Sequence, residues 1–389
     1  MSKKRLLVTG STFPRWNGDT EPRFILDYAK AMTEYFDVHV LVPMAPGAKE
    51  NEDMEGVNVH RFHYFPIHKW ETLCYPGAIV PRIKEKKIRI LLVPFLLFSM
   101  KHALKDYSEK VDLVHAHWII PQGIMQSSIK SIPYIVTGHG GDVTSLNIEP
   151  FKSMKRKTLK NAKWITTVSG TLEGYIQKMY PNTKTSIIPM GCDTSAFDEK
   201  RRIENYFEQG DKKAILFVGR LAEVKGIPFL IEAMKKVDNA ILYIVGKGDM
   251  ETELQKQARG LGEKIVFLGA KTHKELPEIY ASADVFVAPS ITANDGGKEG
   301  FGLVIIEAMA SGVPVVASRS GGIVDIINHE QNGILCEEKN VDEIAAAINK
   351  VLSDDVLRAK LIENGKKTAD NNSYKNVGKR YNEILSNVC

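Results

Sequence analysis

Short runs of apolar, largely β-branched residues recur along the whole chain, and segments with helical periodicity separate many of them. In the first half the runs are Leu6–Thr9, Val38–Val42, Val57–Phe62, Leu113–Ala116, Tyr134–Thr137, Ile165–Val168 and Thr185–Pro189. In the second half they are Ala214–Val218, Ala240–Val245, Ile265–Leu268, Val285–Ala288 and Val313–Ala317. Between them lie helical windows such as Glu21–Tyr35, Pro228–Lys236, Glu251–Leu261 and Val341–Leu352. Runs this short and this apolar fit strands buried on both faces. Parallel sheets built from strand–helix–strand units bury strands in that way, so the fold class is α/β.

At roughly 100–200 residues per domain, 389 residues suggest two such domains. The break falls between about Asp193 and Lys213, where a strand ends and the charged stretch Asp198–Glu204 precedes the next buried run. The expected domains are residues 1–193 and 194–373, each doubly wound and Rossmann-like, with a C-terminal helix at about 374–389 expected to pack back onto the first. A ligand would sit in a central cleft between them, at the carboxyl ends of the strands.

The composition, 43% hydrophobic and 25% charged, is that of an ordinary soluble globular protein and excludes disordered or collagenous chains. Cys74, Cys192, Cys336 and Cys389 lie far apart without a CxxC, which encodes neither a zinc knuckle nor a disulfide framework and points to a reducing cytoplasm. The N-terminus carries too short an apolar run, Leu6–Val8, for a signal peptide. The most hydrophobic stretch, Ile88–Met100, contains Arg89 and Pro94 and falls short of the ~20 apolar residues of a membrane span.

The second half carries the sharper chemistry. Phe217-Val-Gly-Arg-Leu-Ala-Glu-Val-Lys-Gly226 places Arg220 and Lys225 just after a strand, where two cations suit a diphosphate; a solvated pair of loop charges is the plainer alternative. In Lys298–Gly312 a glycine-punctuated loop leads into a helix from about Leu303, so backbone N–H groups near Gly300 and Gly302 can cradle phosphate. Glu299 stands before that helix and Glu307 about one turn inside it. The two carboxylates can accept hydrogen bonds from sugar or ribose hydroxyls, and a helix-dipole partner is the other reading of a Glu here. Val245-Gly-Lys-Gly-Asp249 lacks a third glycine and reads as a structural turn.

In the first half, Val136-Thr-Gly-His-Gly-Gly-Asp142 ends a strand in glycines and leaves His139 and Asp142 at the crevice. His115-Ala-His117 ends another strand, and its two histidines are expected on opposite faces, which speaks against a metal pair there. Thr167-Val-Ser169 is a similar strand end.

These residues together resemble the retaining glycosyltransferases of family 4, which have the two-domain GT-B fold. The matching signature is Glu299 and Glu307 with seven residues between them, then a helix and Val313-Pro-Val-Val-Ala317, with the Gly219-Arg220…Lys225-Gly226 loop before it. Gly269-Ala-Lys-Thr272 and Leu276–Val287 look like the base-binding and following segments of that family.

The resemblance implies a UDP- or GDP-sugar donor bound mainly by the second domain. Arg220 and Lys225 would hold the diphosphate, Glu299 the donor sugar and Glu307 the ribose. Gly300, Phe301, Gly302 and Leu303 would line the donor site. Gly18, in Phe13-Pro-Arg-Trp-Asn-Gly-Asp19, would approach the phosphates, although Asp19 beside it would repel them unless it points elsewhere. His139 would contact the transferred sugar or the acceptor side, where Asp142 and Ser169 are further candidates. His139, Arg220, Lys225 and Glu299 form the implied catalytic set. The implied reaction forms an α-glycosidic bond to a hydroxyl of a glycan or lipid-linked acceptor, with retention, no cofactor and no metal. An epimerase of the same fold and a non-catalytic nucleotide-binding scaffold are the alternatives.

Charge is uneven: residues 1–195 hold 26 Lys+Arg against 18 Asp+Glu, and residues 196–389 hold 26 against 29. An anionic partner for the first half follows. Arg82–Lys105 and Phe151–Trp164 are the basic clusters, and both mix cations with aromatic and aliphatic side chains. Together they suit the surface of an anionic membrane, on the inner face of the cell membrane for a cytoplasmic protein. Taken alone, Ile90–Phe98 reads as a core helix with a solvated basic face. No nucleic-acid module is recognisable.

Overall fold

The computed structural model describes residues 3–19, 21–208 and 210–388. The chain divides into two compact units. One runs to Pro189 and takes up the chain again from Val377, and the other is Met190–Asn376.

The first unit is built on an eight-stranded sheet: β1 (Arg5–Thr9), β2 (Asp37–Pro43), β3 (Asn51–Met54), β4 (Val57–Phe62), β5 (Leu113–His117), β6 (Tyr134–Gly138), β7 (Trp164–Thr167) and β8 (Thr185–Ile187). Their order is β3-β4-β2-β1-β5-β6-β7-β8, and every pairing except β3–β4 is parallel. In β1, Leu6 pairs with Val38 on one side and Leu113 on the other, and Leu6, Leu7 and Val8 are fully buried. Helices on both sides exclude water from these strands, which is why their sequences are apolar at consecutive positions.

The second unit has six strands, β9 (Lys213–Val218), β10 (Ala240–Val245), β11 (Ile265–Gly269), β12 (Val285–Ala288), β13 (Val315–Ser318) and β14 (Ile334–Cys336). They are ordered β11-β10-β9-β12-β13-β14, all parallel. Its core joins β9, β10 and β12 to the helices Ile227–Ala233 and Val341–Ser353. In both units the parallel strands bring their carboxyl ends to one edge of the sheet, and the loops leaving that edge carry the candidate residues.

Two strands had no apolar run to announce them. β3 is the polar segment Asn-Glu-Asp-Met, held antiparallel to β4 by a two-residue turn in which Glu55 (φ 57°) and Gly56 (φ 87°) are both left-handed. β14 is only three residues long and lies at a sheet edge.

Two expectations are corrected. His115 and His117 lie on the same face of β5, because positions two apart in a strand point the same way; their rings stack with centroids 4.2 Å apart. The segment at Ile90–Phe98 is not simply a core helix with a basic outer face. In the short 3₁₀ helix Lys87–Leu92 and the helix Val93–Ser108, Leu92, Leu96, Met100 and Leu104 are buried, while Ile90, Leu91, Phe95 and Phe98 are exposed. Apolar residues therefore occupy two faces of this segment.

Candidate active site

In the second unit, β9 and β12 are neighbours, and their carboxyl ends bring together residues far apart in sequence. The turn after β9 carries Arg220 and Lys225. It closes at Gly226, which is left-handed (φ 63°) and packed so tightly that a Cβ there would meet the Pro289 carbonyl oxygen at 1.9 Å. Lys225 is thereby held beside the loop that follows β12, and its ammonium donates to the Glu299 carboxylate. The pair is mostly buried. Burial pushes the Glu299 carboxyl up, but the Lys225 charge and hydrogen bond, the Gly300 N–H and the Arg220 charge outweigh it and hold Glu299 below the usual carboxylate range. Arg220 itself is exposed.

Immediately after Glu299 come Gly300, the buried Phe301 and the left-handed Gly302 (φ 97°), which opens the helix Leu303–Ala310. A narrow recess lies here, with Phe217, Lys225, Ser290, Glu299, Gly302 and Ile305 in its lining. The loop is fixed from behind by a feature sequence reading passed over. Gly322 N–H donates to the Glu299 carbonyl oxygen at 2.9 Å, and a Cβ on Gly321 or Gly322 would lie 2.1 Å from the Glu299 oxygen or 2.2 Å from the Gly300 oxygen. Glu307, five residues into the helix, is buried and accepts a hydrogen bond from the Tyr280 hydroxyl at 2.9 Å. Tyr280 lies in the segment Leu276–Val287 that the sequence singles out, but its role is visible only in its contact.

The turn Val245–Asp249 is a packing element. Gly219 N–H donates to the Val245 oxygen at 3.0 Å and Leu221 N–H to the Lys247 oxygen at 2.9 Å. Cβ atoms on Gly246 and Gly248 would meet the Gly219 and Leu221 carbonyls. It braces the loop that carries Arg220.

In the first unit, Gly18 is exposed and left-handed (φ 90°), with open space around it. Asp19 is turned away into the protein, where its two oxygens accept from the Arg15 guanidinium and backbone at 2.9–3.0 Å. The charge that would have repelled a phosphate is thus neutralised by Arg15, which also stacks over Trp16 at 3.8 Å and Tyr75 at 4.0 Å.

At the end of β6, His139 packs against Phe24, Trp118 and His117, with ring centroids 5.1–5.5 Å apart. Its Nε2 lies 3.0 Å from His117 Nδ1. The other nitrogen of His117 is buried with no partner among the described residues. The two rings share one N–H···N hydrogen bond, which leaves Nδ1 as the nitrogen of His139 outside the pair. Burial pushes His139 down to about 3 and holds His117 and His115 well below the usual histidine range, so all three are neutral near pH 7.

The two acceptor-side candidates have evident local duties. Asp142 accepts from the N–H groups of Ile119, His139 and Gly140 at 2.8–3.0 Å and so fixes the His139 loop; burial raises its carboxyl despite those bonds. Ser169 is fully buried and caps the helix Gly170–Met179. The sequence signal for this trio is the His-x-His spacing within β5, because residues two apart in a strand share a face.

Residues 198–368 match the family described as glycosyl transferases group 1, and residues 22–196 match glycosyltransferase family 4. The chain is 34% identical over 353 residues to an uncharacterised glycosyltransferase of Methanocaldococcus jannaschii, covering 85% of this chain and 84% of that protein. It is 32% identical over 367 residues to the GDP-mannose-dependent alpha-(1-6)-phosphatidylinositol monomannoside mannosyltransferase of Mycobacterium tuberculosis, covering 90% and 89%. Among solved structures, sucrose-phosphate synthase from Thermosynechococcus elongatus superposes with a TM-score of 0.79 at 21% identity, covering 99% of each chain. Anabaena HepE in complex with UDP and glucose superposes at 0.71 with 18% identity, covering 99% of this chain and all of that one.

Proposed function

Since the chain belongs to the family 4, group 1 glycosyltransferases of GT-B fold, enzymes that use a nucleotide-sugar donor, we propose that it moves a hexose from a UDP- or GDP-sugar to a hydroxyl of a glycan or lipid-linked acceptor, with retention and without a metal. The observation that carries this reading is the buried Lys225–Glu299 ion pair at the glycine-bounded start of the helix Leu303–Ala310, with Arg220 close enough to depress the Glu299 carboxyl.

Two cations and the free N–H groups of a helix start can together stabilise a leaving diphosphate, work that a metal ion performs elsewhere. Glu299, ionised and held by Lys225, keeps lone pairs to accept hydrogen bonds from sugar hydroxyls and so to fix the reacting carbon. Glu307, oriented by Tyr280, takes the ribose hydroxyls. As the bond from the anomeric carbon to phosphate breaks, negative charge grows on the phosphate oxygens and is met by Arg220 and Lys225. The departing phosphate takes the acceptor hydroxyl proton on the same face, giving retention. His139 stays neutral and presents Nδ1 to the sugar or acceptor. Catalysis is then mainly positioning and electrostatics. The mycobacterial relative, named for GDP-mannose and a phosphatidylinositol acceptor, supports a guanosine diphosphate sugar and a lipid-borne acceptor; on this reading the protein works peripherally at the inner face of the cell membrane.

Thermal unfolding in EDTA with UDP, GDP, ADP and NAD in turn tests the reading. A ligand that binds only the native state raises the midpoint by mass action. A shift with UDP or GDP alone, lost in Glu307→Ala, is the expected result. No shift with any nucleotide overturns it.

A further inference from the structure

No helix among the described residues is long and apolar enough to cross a membrane, yet the first unit presents large apolar side chains to solvent in a pattern. Ile88 (70% exposed), Leu91 (61%), Phe95 (46%) and Phe98 (66%) follow one another at intervals of three, four and three residues, so they share a helical face. The buried stripe Leu92, Leu96, Met100 and Leu104 already anchors this segment to its domain, so the exposed stripe has no part in holding the fold. Phe65 extends the patch by packing edge-on against Phe95 at 4.9 Å and stacking on Trp70, itself half exposed.

A second apolar group lies at Leu146, Ile148, Phe151 and Met154, all exposed. It is a built presentation. The fully buried Lys155 reaches back to donate to the Val143 carbonyl at 3.0 Å, the Ser145 carbonyl and the Asn147 side chain, which pins the turn on which Leu146 (φ 55°) stands. The helices Val93–Ser108 and Phe151–Asn161 both pack on the short helix Ile124–Gln126, so both lie on the same face of the sheet. Each leads back to the start of the next parallel strand, so both apolar groups, at the N-terminal ends, lie toward the carboxyl edge of the sheet that carries Gly18 and His139.

Charge accompanies the patch. Residues 82–105 hold seven Lys+Arg and one acid, Glu85, which is taken up by Arg82 and Arg89. Residues 151–164 hold six and no acid, five of the six besides the buried Lys155, and Glu149 just before them accepts from the Ser153 N–H. Apolar side chains rimmed by an excess of cations complement acyl chains under anionic headgroups, whereas a second copy of this chain would bring like charges together.

We propose that this face of the first unit docks on an anionic lipid bilayer, with Ile88, Leu91, Phe95 and Phe98 seated among the acyl chains and the flanking lysines at the headgroups. The proposal rests on the sugar-transfer reading only for its purpose, which is to bring the carboxyl edge to a lipid-borne acceptor; the docking itself is tested apart from it.

The test is sedimentation of the full chain with vesicles of phosphatidylcholine alone or mixed with phosphatidylglycerol, comparing wild type with Leu91→Ser/Phe98→Ser. Wild type should pellet with the mixed vesicles, weaken as salt is raised, and show a blue shift of tryptophan emission as Trp70 leaves water. The double variant should partition at least about tenfold less well while keeping the wild-type melting midpoint and its nucleotide-induced shift. Equal partitioning of variant and wild type, or no pelleting of wild type, overturns the proposal. So does a dimer in light scattering that the double variant abolishes. Vesicle binding by a wild type that no nucleotide stabilises would support the docking and overturn the sugar-transfer reading instead.

Discussion

Lys225 and Glu299 are 74 residues apart in the chain, and their side chains form one ion pair because β9 and β12 are adjacent strands whose outgoing loops meet. The pair is mostly buried, so each charge depends on the other. Lys225→Met should leave Glu299 as an unpaired carboxylate and raise its pKa, while removing one of two cations from the donor side. A loss of about 10²–10³ in kcat is expected, with nucleotide affinity falling as well. Glu299→Gln should lower kcat but leave nucleotide binding nearly intact. Steady-state transfer kinetics beside nucleotide titration calorimetry separate the two; full activity in Glu299→Gln would remove that residue from the mechanism.

Gly321 tests how the Glu299 loop is held. Gly321→Ala would drive a methyl group into the Glu299 carbonyl at a left-handed φ of 53°, so the loop must shift. Displacement of a positioned carboxylate by an ångström can cost about a hundredfold in rate, and the strain about 1–3 kcal/mol in stability. Gly260→Ala, where a Cβ meets nothing within 4 Å, is the matched control and should keep wild-type activity. Both are read by initial rates and melting midpoints.

Tyr280→Phe removes the hydrogen bond to Glu307 and keeps the ring that packs on Phe197 and Phe286. The expected effect is a loss of about 1–2 kcal/mol in nucleotide affinity, seen by calorimetry, with kcat at saturating donor close to wild type. An unchanged affinity would mean that Tyr280 does not orient Glu307 for the ribose.

Acid should weaken the first unit through its histidines. His115, His117 and His139 have folded-state pKa values below the unfolded value, to about 3 for His139, because burial disfavours the charged ring. Below about pH 6.5 the unfolded chain binds protons that the native state refuses, so stability is complete above that pH and is lost as pH falls toward 3. Each such ring adds about 1.4 kcal/mol per pH unit to the fall. Calorimetry at pH 5.5–6 in buffers of different ionisation enthalpy should show proton uptake on unfolding, reduced in His115→Gln. Equal uptake in the variant would contradict the assignment.

The parallel sheets were legible because strands buried on both faces cannot carry polar residues, and the apolar runs at Leu6, Ala214 and Ala240 announce themselves. Arg220, Lys225 and Glu299 were legible too, since loops leaving adjacent parallel strands converge at one edge. β3 was not, because a polar edge strand is specified by the left-handed pair Glu55–Gly56 and by its partner strand, not by hydrophobicity. Gly321, Gly322 and Tyr280 were hidden for a different reason. Their contribution is a distance to another segment's backbone or carboxylate, which no local pattern encodes. The exposed stripe of Ile90–Phe98 was not legible, because hydrophobicity alone does not say which of two apolar stripes finds the core.

Tyr381, on the helix Tyr374–Ser386, is buried in the first unit with its ring 5.0 Å from those of Tyr28 and His115 and its hydroxyl 3.3 Å from that of Thr137. On the ribosome, the segment that contributes most of this unit emerges first and must wait, with the slot at Tyr28 and His115 unfilled, until the whole of Met190–Asn376 has been translated. The unit begun earliest is thus completed last, and a nascent chain released early would carry an open seam in its first unit however well its second had folded.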